Sequence, residues 1–408
     1  MDSAANIAKA LLKQCGFELI DISELQTLWA GYGSIYAVKA RLLEKNATDA
    51  TEDPVRLVMK IIDPPDGSEG EQDESHIRKM LSYDVEQYFY HEVAPRLNRD
   101  EVAVANCVAS SFQLKEALAE HLHARQNPIA TILTDLRVDF PVAGEKRSVL
   151  SSRQVYAAID WLAKFHKSSK HIVFDTGDLV LPPLDESKRR RMSRREHGRS
   201  LWLNGGYTYL ATRRSEYKRL SIGRSEWANA FCTPLPNTTS SSTIAELVAR
   251  FLVPIGRPFE TCIHGDVKSE NLFSNERGDK VAFFDFQYTG LGLGVCDLAK
   301  LFTCSVPLSM LQSQQPSNRI SNSLEMDDGE KTLLTWYWTT FHQYDTSQTD
   351  YQYEWDVFVR HWETALVDWC RFQSSWGFWG NTHWLQGRVR SILADEKWLA
   401  WIRINGDE

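Results

Sequence analysis

Apolar and polar positions alternate along this chain in a way that predicts short strands first and longer helices afterwards. Residues Asn6 to Phe17 carry the spacing of a short amphipathic helix. Leu28 to Leu43 reads as a hairpin, with Gly31 and Gly33 in its first turn and Ile35, Ala37 and Val38 as strand-like residues. A polar stretch from Lys45 to Asp53 precedes the compact apolar strand Val55-Arg-Leu-Val-Met-Lys60-Ile-Ile. Pro, Gly and acidic residues between Asp63 and Glu74 predict an exposed loop. Val85, Phe89, Val93 and Leu97 recur at four-residue spacing and predict an amphipathic helix from Ser82 to Leu97. Ile129 to Leu136 reads as a buried strand, and Gln154 to Ser168 as a helix with Ile159, Leu162, Ala163 and His166 along one side. Gln312 to Glu330 is polar, contains Pro316 and Gly329, and predicts a mobile insertion. The order predicts an α+β protein with a small mixed lobe and a larger, mainly helical one.

Composition narrows the function classes. The chain has 408 residues, 43% hydrophobic and 25% charged, the balance of a soluble globular protein with a substantial core. A net charge of -8 argues against a general nucleic-acid binder. No apolar run approaches the ~20 residues that span a bilayer, and Met1-Asp-Ser-Ala-Ala-Asn-Ile does not read as a signal peptide. The cysteines (Cys15, Cys107, Cys232, Cys262, Cys296, Cys304 and Cys370) are scattered and never in a C-x-x-C pair, which suits reduced thiols in a cytoplasmic protein. Asn46-Ala-Thr and Asn237-Thr-Thr are then chance matches to the glycosylation pattern, and His121-x-His123 has no Cys or acidic companion for a metal. Seven Lys or Arg lie between Lys188 and Arg199, either a solvated face or a lid over an anionic group. Ten of the 14 tryptophans lie at or after Trp336. Most should be core, but Trp376-Gly-Phe-Trp379-Gly is a poor helix and predicts a shaped turn near a pocket.

One segment carries chemistry. In His264-Gly-Asp-Val-Lys-Ser-Glu-Asn271, Asp266 is placed to accept a hydroxyl proton, and Asn271 follows five residues later. Asp285 ends the apolar run Val281-Ala-Phe-Phe and opens Asp285-Phe-Gln287. Phosphoryl transfer needs a carboxylate beside the acceptor and oxygen ligands for magnesium, and Asn271 and Asp285 supply the latter. A helix-capping Asp and a turn Asn explain each residue singly, but not the joint spacing.

The set His264-Gly-Asp266, Asn271, Asp285-Phe-Gln287 and Asp297-Leu resembles the aminoglycoside phosphotransferase and choline kinase superfamily. The Asp-Phe-Gln form resembles its ecdysteroid-kinase-like branch. The resemblance covers residues 20 to 390 and is most specific from His264 to Asp297. It implies a two-lobe protein-kinase-like α+β fold. An antiparallel-sheet N-lobe with one helix would cover residues 1–134, and a mainly helical C-lobe residues 135–408. It implies ATP and Mg2+ as cofactors, with Asp266 as catalytic base and Asn271 and Asp285 as metal ligands. Lys268 departs from many members and resembles the protein-kinase lysine that touches the transferred phosphate. Gly31, Gly33 and Ser34 resemble a nucleotide-covering turn, Lys60 the phosphate-holding lysine, and Glu86 its partner, with Glu92 and Asp84 as competitors. Thr134 and Leu136 fall in the connector that meets adenine, where Asp135 either contributes or caps the next turn. His264 is expected to pack behind the metal aspartate. His166 reads as a core histidine, and Asp297 as a partner of the catalytic loop. Trp376 and Trp379 are candidates for the acceptor pocket, which would take an aromatic, apolar or cationic alcohol. Alternatives are a protein kinase, disfavoured because no Ala-Pro-Glu follows Asp285, and a catalytically silent nucleotide-binding protein. No nucleic acid, membrane span or obligate protein partner is expected.

Overall fold

The computed structural model describes residues 2–43, 53–64, 73–112, 129–172, 177–192, 200–235, 241–312, 322–343 and 353–406. The histidines 121 and 123, both glycosylation-like asparagines and residues 193–199 of the basic run lie outside them, as do most of the loop before Glu74 and residues 313–321 of the predicted insertion, whose end from Asp328 onward is helical.

Strand β1 (Phe17–Thr27) opens an antiparallel sheet with β2 (Gly33–Leu42), β3 (Val55–Ile62), β4 (Cys107–Ser110) and β5 (Ile129–Thr134), in the order β1-β2-β3-β5-β4. The hairpin therefore begins at Phe17, well before the predicted Leu28. The β1 residues alternate only weakly and are largely exposed, so their pattern carries little signal. In β3, Leu57, Met59 and Ile61 turn to one face and Lys60 and Ile62 to the other, as the two-residue period of a strand requires. The first face is sealed by helix α1 (Asp2–Gln14), whose Ala8, Leu11 and Leu12 are fully buried. Fully burying such side chains contributes about 1.5–3 kcal/mol each. Gly16, at φ 77, ends that helix before the predicted Phe17.

Helix α2 (Glu74–Tyr88) covers the other face, so the sheet carries two helices rather than one. It begins at Glu74, not Ser82, and passes into a π turn (Phe89–Val93) and a 3-10 turn (Ala94–Arg96). The four-residue spacing that predicted a single helix thus spans a change of helical type, and Pro95 closes it. Val85, Phe89, Tyr90 and Val93 leave the sheet and join the large second core.

That core is built around α3 (Ser152–Ser169), which starts at a capping box between Ser151 and Gln154. Short ladders sit on it: β6 (Val142–Ala143), β8 (Leu272–Ser274) and β9 (Val281–Phe283) in one, and β7 (Glu260–Ile263) with β10 (Gly290–Leu293) in the other. Around them stand α4 (Pro183–Met192), α5 (Val295–Cys304), α6 (Asp328–Gln343), α7 (Trp355–Trp376) and α8 (Thr382–Ala394). Buried Glu330 on α6 accepts bonds from Trp362, Trp384 and Arg388, locking three helices together. Most of the late tryptophans are core as expected, but Trp336 and Trp376 are 45% and 55% exposed. Among the described residues, no helix is long and apolar enough to cross a membrane.

Candidate active site

The catalytic segment leaves β7 at Ile263 and is held from behind. Asp297, the third residue of α5, accepts from the backbone N–H of His264 at 2.6 Å and of Gly265 at 2.9 Å. It also accepts from His166 Nε2 at 3.1 Å, and His166 Nδ1 in turn accepts from the Tyr337 hydroxyl at 2.8 Å. Asp297 and His166 are both fully buried and act as braces. Burial opposes ionisation of Asp297, but His166 and Lys300 outweigh it and hold the carboxyl below its usual range. Lys300 Nζ donates to Gly265 O at 2.7 Å. Gly265 sits at φ 84, and a Cβ there would lie 2.3 Å from Tyr288 O, so only glycine fits this crossing.

His264 Nε2 donates to Phe284 O at 3.0 Å, and its Nδ1 accepts from the Asp266 backbone N–H at 3.2 Å. Its ring lies against Phe283 and Phe286. It is therefore a buried link between the two carboxylate segments, and burial lowers its pKa.

Asp266 Oδ2 takes bonds from Lys268 Nζ at 2.9 Å and Asn271 Nδ2 at 3.0 Å. Asn271 Nδ2 also donates to Asp266 O at 2.8 Å, which leaves its amide oxygen without a hydrogen bond among the described residues. Burial pushes Asp266 up, yet the Lys268 charge overrides it and keeps the carboxyl low. The same contact holds the Lys268 ammonium above its ordinary value despite burial.

Lys60 Nζ lies 2.6 Å from Glu86 Oε2 and 3.3 Å from Asp285 Oδ1. Glu92 instead pairs with Arg96, and Asp84 faces Arg190 at 3.8 Å, so neither competitor reaches Lys60. Burial lowers Lys60, but two carboxylates outweigh it and keep the ammonium charged. Glu86 is pushed up to about 7, by burial first and against the pull of Lys60, because it shares one ammonium with Asp285. Asp285 adopts a left-handed conformation, φ 66 and ψ 59, sparsely populated for a residue with a Cβ.

One face of α2 reads the whole arrangement. Arg78 Nη1 donates to Thr212 O at 2.9 Å, Ser82 Oγ to Gln287 Oε1 at 3.1 Å, Glu86 meets Lys60, and Phe89 stacks on Phe286 at 3.8 Å. These positions are four, four and three residues apart, the spacing of one helical stripe.

Gly31 and Gly33 occupy the β1–β2 turn, at φ 72 and 140, and a Cβ on Gly33 would lie 2.0 Å from Ile61 O. Ser34 Oγ bonds Glu24 Oε1 and does not join the charged cluster. Thr134 ends β5 and accepts from Asn106 N through its Oγ1, while Leu136 opens a 3-10 turn. Asp135 caps that turn and pairs with Arg137 and Arg56.

A model of the ecdysteroid kinase-like family matches residues 31–318. The chain belongs to this family. With it, the chain belongs to the kinase-like phosphotransferases. No curated protein matches. Among solved structures, the chain is similar to an amicoumacin kinase in complex with AMP-PNP, Ca2+ and amicoumacin, at 11% identity and TM-score 0.44, covering 100% of this chain and 92% of that one. A macrolide 2'-phosphotransferase from Brachybacterium faecium is 10% identical at TM-score 0.41, with 99% and 98% covered. An ethanolamine kinase from Plasmodium vivax is 11% identical at TM-score 0.37, with 94% and 84% covered.

The two tryptophans separate. Trp379 hydrogen bonds Cys304, whose charged neighbours are Asp266, Lys268 and Glu270. Trp376 lies farther out, parallel to Phe372 and 5.0 Å from the Arg213 guanidinium. Sequence reasoning missed Tyr207, Arg213 and Tyr288: the Tyr207 ring meets Phe372 and Tyr288, and Arg213 lies over Tyr207, Phe372 and Trp376. The pair Gly205-Gly206 was the available signal: Gly206 N donates to Tyr288 O at 2.8 Å, close beside Gly265. Such a backbone approach excludes side chains. The basic run is partly settled: Arg189 and Arg190 are tied to Glu186 on their own helix, α4. A cavity of about 700 Å³ between α3 and α6, lined by Asp160, Thr335 and Trp336 among others, contains none of these site residues.

Proposed function

We propose that the protein transfers the γ-phosphate of ATP, with Mg2+, to a hydroxyl group of a small molecule. The observation that carries this reading is the Lys60–Glu86–Asp285 ion cluster, linked through the buried His264 to the Asp266–Lys268–Asn271 group. Lys60, kept charged and pointed by Glu86, holds phosphate oxygens. Asp266 orients the acceptor hydroxyl and takes its proton. Its low pKa keeps it the ionised acceptor of that proton. Lys268 adds positive charge where the transferred phosphoryl group develops negative charge.

The donor set suits magnesium. Asp285 and the free amide oxygen of Asn271 are hard oxygen ligands, and Mg2+ commonly takes one or two carboxylates, with phosphates and water completing its shell. Among the described residues, no cluster of three or more His, Cys, Asp or Glu is built to hold a metal alone, which suits an ion that arrives with the nucleotide. The bound ion would neutralise charge on the phosphates.

In this reading residues 1–134 form the nucleotide lobe. Gly31, Gly33 and Ser34 cover the phosphates, and Thr134 and Leu136 flank the adenine. Residues 135–408 form the catalytic and acceptor lobe. The unpaired cysteines suit a reducing, cytoplasmic compartment.

Thermal shift with ATP and Mg2+ is the first test, with stabilisation expected only when both are present. An ATP-consumption screen follows, over sugars, sterol alcohols, choline analogues and aminoglycosides. Failure of ATP with Mg2+ to stabilise the fold would sink the phosphotransfer reading.

A further inference from the structure

The aromatic wall on the acceptor side already holds a cation. The guanidinium of Arg213 lies 5.3 Å from the Tyr207 ring centroid, 5.2 Å from Phe372 and 5.0 Å from Trp376. All three distances are within the ~6 Å over which a ring face attracts a cation. Arg213 is 4% exposed, so this is a built arrangement and not a surface side chain at rest. Its Nε donates to Tyr207 O at 2.7 Å and its Nη1 to Glu216 Oε1 at 3.2 Å. Among the described residues Nη2 makes no hydrogen bond, and its donors remain available.

The wall leads to the catalytic carboxylate. Tyr207 follows Gly206, which is in backbone contact with Tyr288 and Gly265, and Gly265 precedes Asp266. The Tyr207 and Tyr288 rings are 4.7 Å apart. A second guanidinium, Arg78, donates to Thr212 O at the residue before Arg213. Glu216 and Glu74 lie near these two cations. Glu216 is committed to Arg213, and burial raises the pKa of Glu74. Burial first, and then the neighbouring Arg78 charge, lower the pKa of Arg213.

We propose that Arg213 is a charge filter in the acceptor site: it fills the aromatic slot that would otherwise attract an ammonium group, excludes cationic alcohols, and offers Nη2 to an oxygen of an acceptor without positive charge. The proposal rests on the phosphotransfer reading for the word acceptor, and on the placement of Arg213 among the rings for the charge. Of the acceptor types that the sequence suggests, it strikes out the cationic one. A cation placed about 6 Å from a guanidinium binds about threefold more weakly than a neutral molecule of the same shape in bulk water, and about 100-fold more weakly at the screening of a protein surface.

Trp376 is exposed and reports the local charge directly. Its emission, isolated as wild type minus Trp376→Phe, is titrated with iodide and with caesium. With each quencher normalised to its efficiency on free N-acetyltryptophanamide, iodide should quench about threefold more efficiently than caesium. Arg213→Met keeps the aliphatic stem on the rings and should bring the two quenchers near parity, while Arg213→Lys should keep the iodide preference. Equal quenching in the wild type, or a preference unchanged in Arg213→Met, overturns the proposal. The second arm compares ATP consumption with choline and with its uncharged isostere 3,3-dimethylbutan-1-ol. A preference for the isostere of about tenfold supports the filter, and a preference for choline refutes it. Absence of a thermal shift with ATP and Mg2+ removes the phosphotransfer reading but leaves the quenching result standing.

Discussion

The two ends of the candidate site are built on opposite principles. On the proposed phosphate side, charged residues are paired with one another or with backbone N–H groups: Lys60 with Glu86 and Asp285, Lys268 with Asp266, and Asp297 with two N–H groups. On the proposed acceptor side, aromatic rings surround a guanidinium. Phosphate chemistry is common to all substrates of such a reaction, so its charges are fixed in place in advance. Acceptor recognition depends on shape and apolar contact, which packing supplies. The difference teaches that damage to the first side should appear as lost turnover, and damage to the second as altered selectivity or stability.

The sharpest break is at the base. Asp266→Asn should lower turnover by about 10³-fold, roughly 4 kcal/mol on the barrier, while ATP with Mg2+ still raises the melting temperature. Normal turnover in this variant would overturn the assignment of Asp266. Next comes the brace behind it. Asp297→Ala removes the acceptor for two buried N–H groups and for His166, and should cost about 3 kcal/mol of stability, read by urea unfolding. A loss below about 1 kcal/mol would mean that the loop holds itself.

Acid should separate the two sides. His361 lies on α7, the helix that carries Phe372 and Trp376, and accepts from or donates to the Tyr353 hydroxyl at 2.6 Å. Burial, then the Arg257 charge, lowers its pKa from 6.5 to about 3. A folded-state value below the unfolded one means that the unfolded chain binds the proton first, so the stabilisation is lost as pH falls below 6.5. By pH 5 the loss should reach about 2 kcal/mol. The depressed carboxylates Asp266 and Asp297 lose their contribution only at lower pH, below the ordinary range of an aspartate. His361→Gln should therefore flatten the stability profile between pH 7 and 5, and an unchanged slope would point to another group. The smallest effect is expected at Trp376. Its exposure predicts that Trp376→Ala costs under about 1 kcal/mol. The fully buried Trp362 on the same helix should cost about 3–5 kcal/mol. Similar losses at both would show that Trp376 is core after all.

The phosphate side was legible because its chemistry demands particular residue types at short spacing. Asp266, Asn271 and Asp285 fall within one stretch of chain, joined by two small ladders that constrain their separation. The β3 strand was equally clear, and its two-residue period turned Lys60 away from the core before any contact was known. The sequence placed Glu86 first by resemblance and left Glu92 and Asp84 as competitors. A helix stripe presents several acids, and only the placement of α2 against the sheet selected one. Boundaries failed where local pattern was weak, as in exposed β1, or where one periodicity ran through α, π and 3-10 turns. Of the aromatic wall, only Trp376 stood out in the sequence. Tyr207, Arg213, Tyr288 and Phe372 come from segments up to 165 positions apart, and each is an ordinary residue in its own stretch. The linear chain thus determined which chemistry is present, because charges and ligands must be the right atoms. Only the tertiary structure decided which rings meet around Arg213, because stacking is satisfied by rings from anywhere in the chain that packing brings together.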